Sequence, residues 1–107
     1  MKEGRDNIPG EANNSKESNM EIEIKITFFG GKGHCNVTII PTEYETTKYS
    51  SSGSFLFELE EGAYDIELQG VSAERVMVEV FNPEGELIGD KEIKKEGNFM
   101  RSLDIVI

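Results

Sequence analysis

The most reactive side chains of this chain are neighbours in the sequence, because His34, the single histidine, directly precedes Cys35, the single cysteine. A catalytic thiolate–imidazole pair requires two side chains that face one another, whereas adjacent residues of a strand point to opposite faces of the sheet. One histidine and one cysteine also fall short of the four ligands of a structural zinc site. The pattern therefore predicts a turn histidine beside a half-buried thiol.

The glycine-rich run at residues 30–33, Gly-Gly-Lys-Gly, has a superficial likeness to a phosphate-binding loop. No Ser or Thr follows Lys32, and no helical pattern comes after the run to supply an anion-binding N-terminus. We interpret the run as a connection between two strands, in which glycine permits a positive φ.

Acidic side chains are abundant in residues 53–70, which read GSFLFELEEGAYDIELQG. Apolar and polar residues alternate on both sides of Gly62, and this pattern predicts a β-hairpin with one buried face. Pairing across the hairpin would bring four outward carboxylates together, which are our candidates for a weak calcium site: Glu58, Glu60, Asp65 and Glu67. A solvated acidic face is the favoured explanation of the same residues, since the sequence lacks the spaced acidic loop of a calcium-binding motif.

Paired carboxylates also serve glycoside hydrolysis, but that chemistry requires a deep cleft and a platform for sugar rings. The chain has no tryptophan, and its aromatic residues, 8% of the total, fall mostly at inward-facing positions. The sequence therefore predicts a protein that is not an enzyme and has no catalytic residue. It predicts no cofactor either, calcium being the one ion for which it offers candidate ligands.

Six large apolar residues fall out of phase with the inward faces of their predicted strands: Phe29, Leu56, Met77, Phe81, Ile88 and Met100. One explanation is structural, since central strands of a two-layer fold bury part of both faces and bulges shift the alternation. The other explanation is a hydrophobic patch that binds a partner protein or a second copy of the chain. These six residues are accordingly the predicted interaction surface.

Alternating segments recur along the whole chain after residue 19, separated by turns rich in Gly, Pro, Asn and Ser. Seven to eight strands without any helical period predict an all-β fold, namely an antiparallel Greek-key β-sandwich. Residues 42–49 are predicted as a short edge strand with Tyr44 pointing inward. Arg101 falls at an inward position of the last strand, which indicates a bulge or an open sheet end. The predicted core positions are Ile22, Ile24, Ile26, Phe28, Val37, Ile39, Phe55, Phe57, Leu59, Tyr64, Ile66, Leu68, Val76, Val78, Val80, Leu103 and Ile105.

Composition limits the number of domains and the class of partner. The chain has 107 residues and a formal charge of −10, which allows one domain at most. Residues 1–19 are almost entirely polar and predict a disordered tail or linker, followed by the β-sandwich domain at 20–107. This domain carries 8 basic and 17 acidic side chains, so it repels nucleic acids and anionic membranes. A single cysteine excludes an intrachain disulfide, and no apolar run reaches the roughly 18 residues of a membrane span.

Residues 50–70 resemble the carboxypeptidase-regulatory-like and collagen-adhesin B-type repeats of the transthyretin-like family. In those repeats a G-x-F-x-F-x-x-L strand precedes a P-G-x-Y-x-L turn and strand, and Glu61 stands where the family has proline. The resemblance covers about a fifth of the chain. It implies a seven-stranded transthyretin-like and immunoglobulin-like sandwich, extracytoplasmic and non-enzymatic. The matching positions are Gly53, Phe55, Leu59, Gly62, Tyr64, Ile66 and Leu68.

The leading hypothesis for function is a non-catalytic module of an exported or surface-tethered protein that acts as a spacer or binds a protein or glycan. One alternative is a cytosolic protein-interaction domain that uses an exposed sheet face, and another is a calcium- or carbohydrate-binding accessory module. The polar tail is similar to the linker of a surface lipoprotein, with a lipid tether outside this sequence. That likeness favours the periplasm or the cell surface over the cytoplasm as the location.

Overall fold

The computed structural model describes residues 19–107. Residues 1–18 of the predicted tail lie outside the described residues, and Asn19 already belongs to the first strand. Within the described range the chain forms eight strands and no helix, and the predicted edge strand at 42–49 is shorter than expected. The strands are β1 (Asn19–Phe29), β2 (Gly33–Ile40), β3 (Thr47–Tyr49), β4 (Gly53–Glu60), β5 (Ala63–Ser72), β6 (Arg75–Phe81), β7 (Leu87–Ile93) and β8 (Gly97–Val106).

The strands form two four-stranded sheets, whose inward side chains share one core. Sheet one has the strand order β4-β1-β6-β7, and sheet two has the order β3-β2-β5-β8. Every pair of neighbouring strands is antiparallel. The predicted all-β architecture of two antiparallel layers is therefore confirmed.

The predicted hairpin across Gly62 is wrong, because its two strands lie in different sheets. β4 pairs with β1, with Phe57 opposite Ile22, whereas β5 pairs with β2 and β8. Alternation shows which residues point to the core, and it is the same whether the chain turns back within a sheet or crosses to the facing sheet. Here the chain crosses. Tyr64, just past the crossing, donates a hydrogen bond of 2.8 Å from its Oη to the Glu60 carbonyl.

The core contains all the predicted positions, although Phe55, Phe57 and Tyr64 are half-buried and pack against its rim. The two phenylalanines belong to β4, an edge strand with one open flank. A fully buried isoleucine such as Ile22 contributes about 1.5–3 kcal/mol relative to an exposed one, so the alternating strand β1 alone is a major source of stability. The buried residues that the prediction omitted are Cys35, Ile93 and Phe99.

Aromatic side chains close the side of the sandwich where β3 lies beside β4. The ring centroids of Tyr49 and Phe55 are 3.8 Å apart, which joins the two sheets. Tyr44 precedes β3 and is 42% exposed, so its predicted inward position is wrong. Its Oη instead accepts a hydrogen bond from the Glu58 backbone N–H at 3.0 Å and donates one to the Glu58 carbonyl at 3.1 Å. The phenol therefore satisfies part of the free edge of β4.

The opposite side is formed by the edge strands β7 and β8. Gly89 lets them approach, because a Cβ at this position would lie 3.0 Å from Ile105 Cγ2 and 3.2 Å from Leu103 Cδ1. Lys91 and Arg101 occupy inward-phase positions of these edge strands. The pairing of β5 with β8 runs without a break through Arg101, so the open edge, and not a bulge, accounts for that charge. Inward charges on edge strands oppose pairing with another molecule.

Candidate binding surfaces

The four carboxylates proposed for calcium are not brought together as a group, because the hairpin that would have paired them does not form. Glu58 and Glu60 project from the outer face of sheet one, where they lie opposite Glu21 and Asn19 of β1. Glu67 lies on the outer face of sheet two, between Thr38 and Ser102. Within residues 19–107, no group of three or more His, Cys, Asp or Glu side chains is placed to hold a metal ion.

Asp65, the fourth candidate, lies directly opposite Asp104 on the outer face of sheet two. Its Oδ1 is buried and accepts no hydrogen bond from the described residues. Desolvation raises the pKa of Asp65 above its usual value, and the neighbouring Asp104 and Glu67 carboxylates raise it further. Like charges directly opposed across strands are destabilising, so the Asp65–Asp104 pair lowers the stability of the folded state.

His34 lies within β2 and pairs with Val71, so its predicted position in a turn is wrong. His34 and Cys35 point to opposite faces of sheet two, as expected for neighbours in a strand. Cys35 is fully buried, so the prediction of a half-buried thiol is wrong. It is in phase with Val37 and Ile39, which is a signal that the sequence already contains. Burial raises the pKa of the Cys35 thiol to about 12. The thiol is therefore neutral and packs as a small apolar group.

Four of the six predicted interaction residues lie on the outer face of sheet one. Leu56 is 62% exposed, and Glu23 of β1 separates it from Phe81 of β6. Met77 and Phe29 lie further along the same face and are half-buried. Leu87, which is half exposed, pairs with Phe81 and extends this row across β7. Leu87 is not among the six predicted residues, because its neighbour Ile88 was predicted to be the outward residue of this strand.

The remaining two predicted residues, Ile88 and Met100, do not belong to this patch. The pairing of β6 with β7 shifts between Val80 and Phe81, and Ile88 is half-buried and packs against the core. The bulge thus explains why Ile88 was predicted from the sequence to face outward, which is the structural explanation given above for the out-of-phase residues. Met100 is 68% exposed, but it lies on β8, on the outer face of sheet two.

We name the outer side of sheet one the acidic face, because carboxylates greatly outnumber cations there. Of the two cations on the strands of this face, Arg75 is already engaged, since its guanidinium lies 3.9 Å from the centroid of the Phe29 ring and its Nη1 is 3.0 Å from Glu92 Oε2. Lys25 is exposed at the centre of the face, between Ser54 and Glu79. The carboxylates of the acidic face are Glu21, Glu23, Glu58, Glu60, Glu79, Asp90 and Glu92.

The outer side of sheet two differs from the acidic face because part of it lacks carboxylates. A shallow cavity of about 600 Å³ there contains no Asp or Glu in its lining, although acidic residues outnumber basic ones 21 to 11 in the chain. We name it the carboxylate-free basin. A neighbouring groove of about 390 Å³ shares four of its residues and adds Thr38, Thr46, Glu67, Leu68 and Ser102. The basin is lined by His34, Asn36, Gln69, Gly70, Val71, Lys95, Asn98, Phe99, Met100 and Arg101.

The sequence prediction missed the basin because its residues come from three strands and a turn. A weak signal was present, since Asn36 and Gln69 occupy outward positions in β2 and β5 where other strands of the chain carry Glu or Lys. Uncharged amides at two separate strands do not reveal that the strands are neighbours. Here they are directly paired, with Gln69 between Asn36 and Met100.

Comparison of the chain with protein-family models, with curated proteins and with solved structures gives no match. The transthyretin-like relationship, the Greek-key description and the expected absence of catalysis therefore stay predictions. Among residues 19–107 there is also no helix with the length and apolar character needed to cross a membrane.

Proposed function

We propose that this protein is a non-catalytic β-sandwich module that binds a partner protein through the acidic face. The observation that carries the proposal is the row of apolar side chains Leu56, Phe81 and Leu87 set among carboxylates. Apolar and aromatic side chains provide most of the energy of a protein interface. A surrounding excess of one charge speeds the encounter and selects partners of the opposite charge.

The charge of this face disfavours pairing with the same face of a second copy, since equal excesses of carboxylates would oppose each other. The expected partner is therefore a basic segment that carries apolar side chains. Four strands about 4.8 Å apart and seven residues long give a face of roughly 450 Å². This is about half of the roughly 800 Å² per partner in a standard interface, so we expect a short docking segment and a reversible complex.

The test is photo-crosslinking in the source cells, with a photoreactive amino acid introduced in place of Leu56. We expect a discrete adduct, which disappears when Glu23 and Glu79 are both replaced by Lys. A matched probe in place of Glu84, in the exposed turn between β6 and β7, serves as the control. Equal adducts from both probe positions, or an adduct insensitive to charge reversal, would contradict the proposal.

The location of the module is a separate proposal. We propose an exported, tethered protein, for which the polar composition of residues 1–19 is the support, and a cytosolic interaction domain is the alternative. Fractionation of the source cells with an antibody against the sandwich distinguishes the two. Both locations are compatible with a basic protein partner.

A further inference from the structure

We propose that the carboxylate-free basin binds an oligosaccharide that carries one acidic sugar, such as a uronic acid. The basin lies on the outer face of sheet two and is therefore separate from the acidic face. Its lining combines two cations, Lys95 and Arg101, with the amides of Asn36, Gln69 and Asn98. A cavity without carboxylates is unusual in a chain with a formal charge of −10, and its cations offer an anion a well-matched environment.

The two cations are available to an incoming anion. Arg101 is at an inward-phase position of the edge strand β8, but its side chain is exposed and lines the basin, and its Nη1 donates a hydrogen bond of 2.9 Å to the carbonyl of the adjacent Met100. Among residues 19–107, neither Lys95 nor Arg101 takes part in an ion pair, whereas Arg75 and Lys94 both lie within 4 Å of Glu92. A guanidinium binds a carboxylate through paired hydrogen bonds, so the acidic group of the ligand is placed at Arg101.

The uncharged part of the lining is suited to hydroxyl groups. Asn36 and Gln69 are directly paired across β2 and β5, so their Cβ atoms lie about 5 Å apart, and their amides present both donors and acceptors. The backbone N–H and C=O groups of paired strands form hydrogen bonds with each other within the sheet. A ligand on this face is therefore recognised by side chains alone. The exposed Met100, beside Gln69, offers an apolar contact for the C–H face of a sugar ring.

The adjoining groove determines which part of the ligand carries the negative charge. Glu67 lies two residues from Gln69 along β5, between Thr38 and Ser102, and its carboxylate accepts hydrogen bonds from hydroxyls but repels a second anion. Arg101 lines both cavities whereas Lys95 lines only the basin, so a ligand that spans both is acidic on the side of Arg101 and Lys95 and neutral beside Glu67. This pattern disfavours acidic peptides and nucleic acids with regularly repeated charges, and it fits a uronic acid linked to a neutral sugar.

The experiment is a titration of the isotope-labelled protein followed by NMR, with three probes of similar size. Cellobiouronic acid has one carboxylate and many hydroxyls, cellobiose lacks the carboxylate, and the dipeptide Glu-Glu has carboxylates without the hydroxyls. We expect cellobiouronic acid to shift the side-chain amide signals of Asn36 and Gln69. It should also bind at least about tenfold more tightly than either other probe, because it alone combines a charge-assisted hydrogen bond with contacts to hydroxyl groups.

Two variants locate the binding site. Arg101→Gln, at an exposed side chain, is expected to weaken binding of cellobiouronic acid about tenfold and to make it equal to that of cellobiose. Lys25→Gln removes the same charge from the acidic face and is expected to leave the affinity unchanged, and both variants should keep the amide spectrum of the folded protein. Equal binding of cellobiouronic acid and Glu-Glu, an unchanged affinity of Arg101→Gln, or no shift of the basin amides would overturn the proposal.

Discussion

Replacement of Gly70 by alanine tests the packing of sheet two most directly. Gly70 lies between Cys35 of β2 and Phe99 of β8, and a Cβ here would lie 2.0 Å from the His34 carbonyl oxygen. The shortest usual C···O contact between strands is about 3.3 Å, so β2 would have to retreat by more than about 1 Å. We expect two ladder hydrogen bonds to be lost, at about 0.5–1.5 kcal/mol each, and the neighbouring core to be strained by about 1–3 kcal/mol.

The expected loss is therefore about 3 kcal/mol of the free energy of unfolding, a large part of the 5–15 kcal/mol of a typical domain. Urea denaturation followed by far-ultraviolet circular dichroism measures it, since the chain has no tryptophan. Gly89→Ala is the comparison variant, because its Cβ would meet side-chain atoms of Ile105 and Leu103, at 3.0 and 3.2 Å, and not the backbone of a paired strand. Both variants gain the same backbone restriction. A loss below about 1 kcal/mol for Gly70→Ala, or one smaller than that of Gly89→Ala, would refute the reasoning.

Three further predictions concern single side chains. Because the pKa of Asp65 is raised in the folded protein, the folded state holds the proton more tightly and stability falls as the pH rises above the usual carboxyl range. Asp65→Asn should therefore stabilise the protein at about pH 7 and leave it unchanged at about pH 3, as measured by thermal melts, and a pH-independent effect would contradict this. Cys35, buried with a pKa of about 12, should react with a thiol reagent only after unfolding by urea, and rapid labelling of the native protein would disprove its burial. Tyr44→Phe removes both hydrogen bonds to Glu58 and should lower the free energy of unfolding by about 1 kcal/mol in urea melts, whereas no change would show that water replaces the phenol.

The positions of the strands could be predicted from the sequence because a period of two is a local property. In β1, Ile22, Ile24 and Ile26 alternate with charged residues, and each of the three is buried. The same alternation reports only the direction of a side chain, not the strand that lies beside it. The hairpin prediction failed for this reason, and the calcium hypothesis for Glu58 and Asp65 lost its geometric basis with it.

The candidate surfaces were predictable to different degrees. Leu56 and Phe81 were identified one by one as outward apolar residues, and their shared face follows from β1 lying between their strands. Ile88 could not be placed, because the bulge that shifts its phase depends on pairing between β6 and β7. The carboxylate-free basin depends on contacts of β2 with β5 and of β5 with β8, which no local pattern encodes.

The repeated crossing between the two sheets has a consequence for the speed of folding. Only the pairings of β2 with β3 and of β6 with β7 join consecutive strands, and β1 lies between β4 and β6 in sheet one. Chains dominated by such long-range pairings fold in milliseconds to seconds, because loop closure costs entropy before contacts form. During synthesis β1 has no partner in its own sheet until β4 has emerged from the ribosome. Its row of isoleucines stays open to other chains for that interval, which makes β1 the segment that a chaperone would be expected to hold.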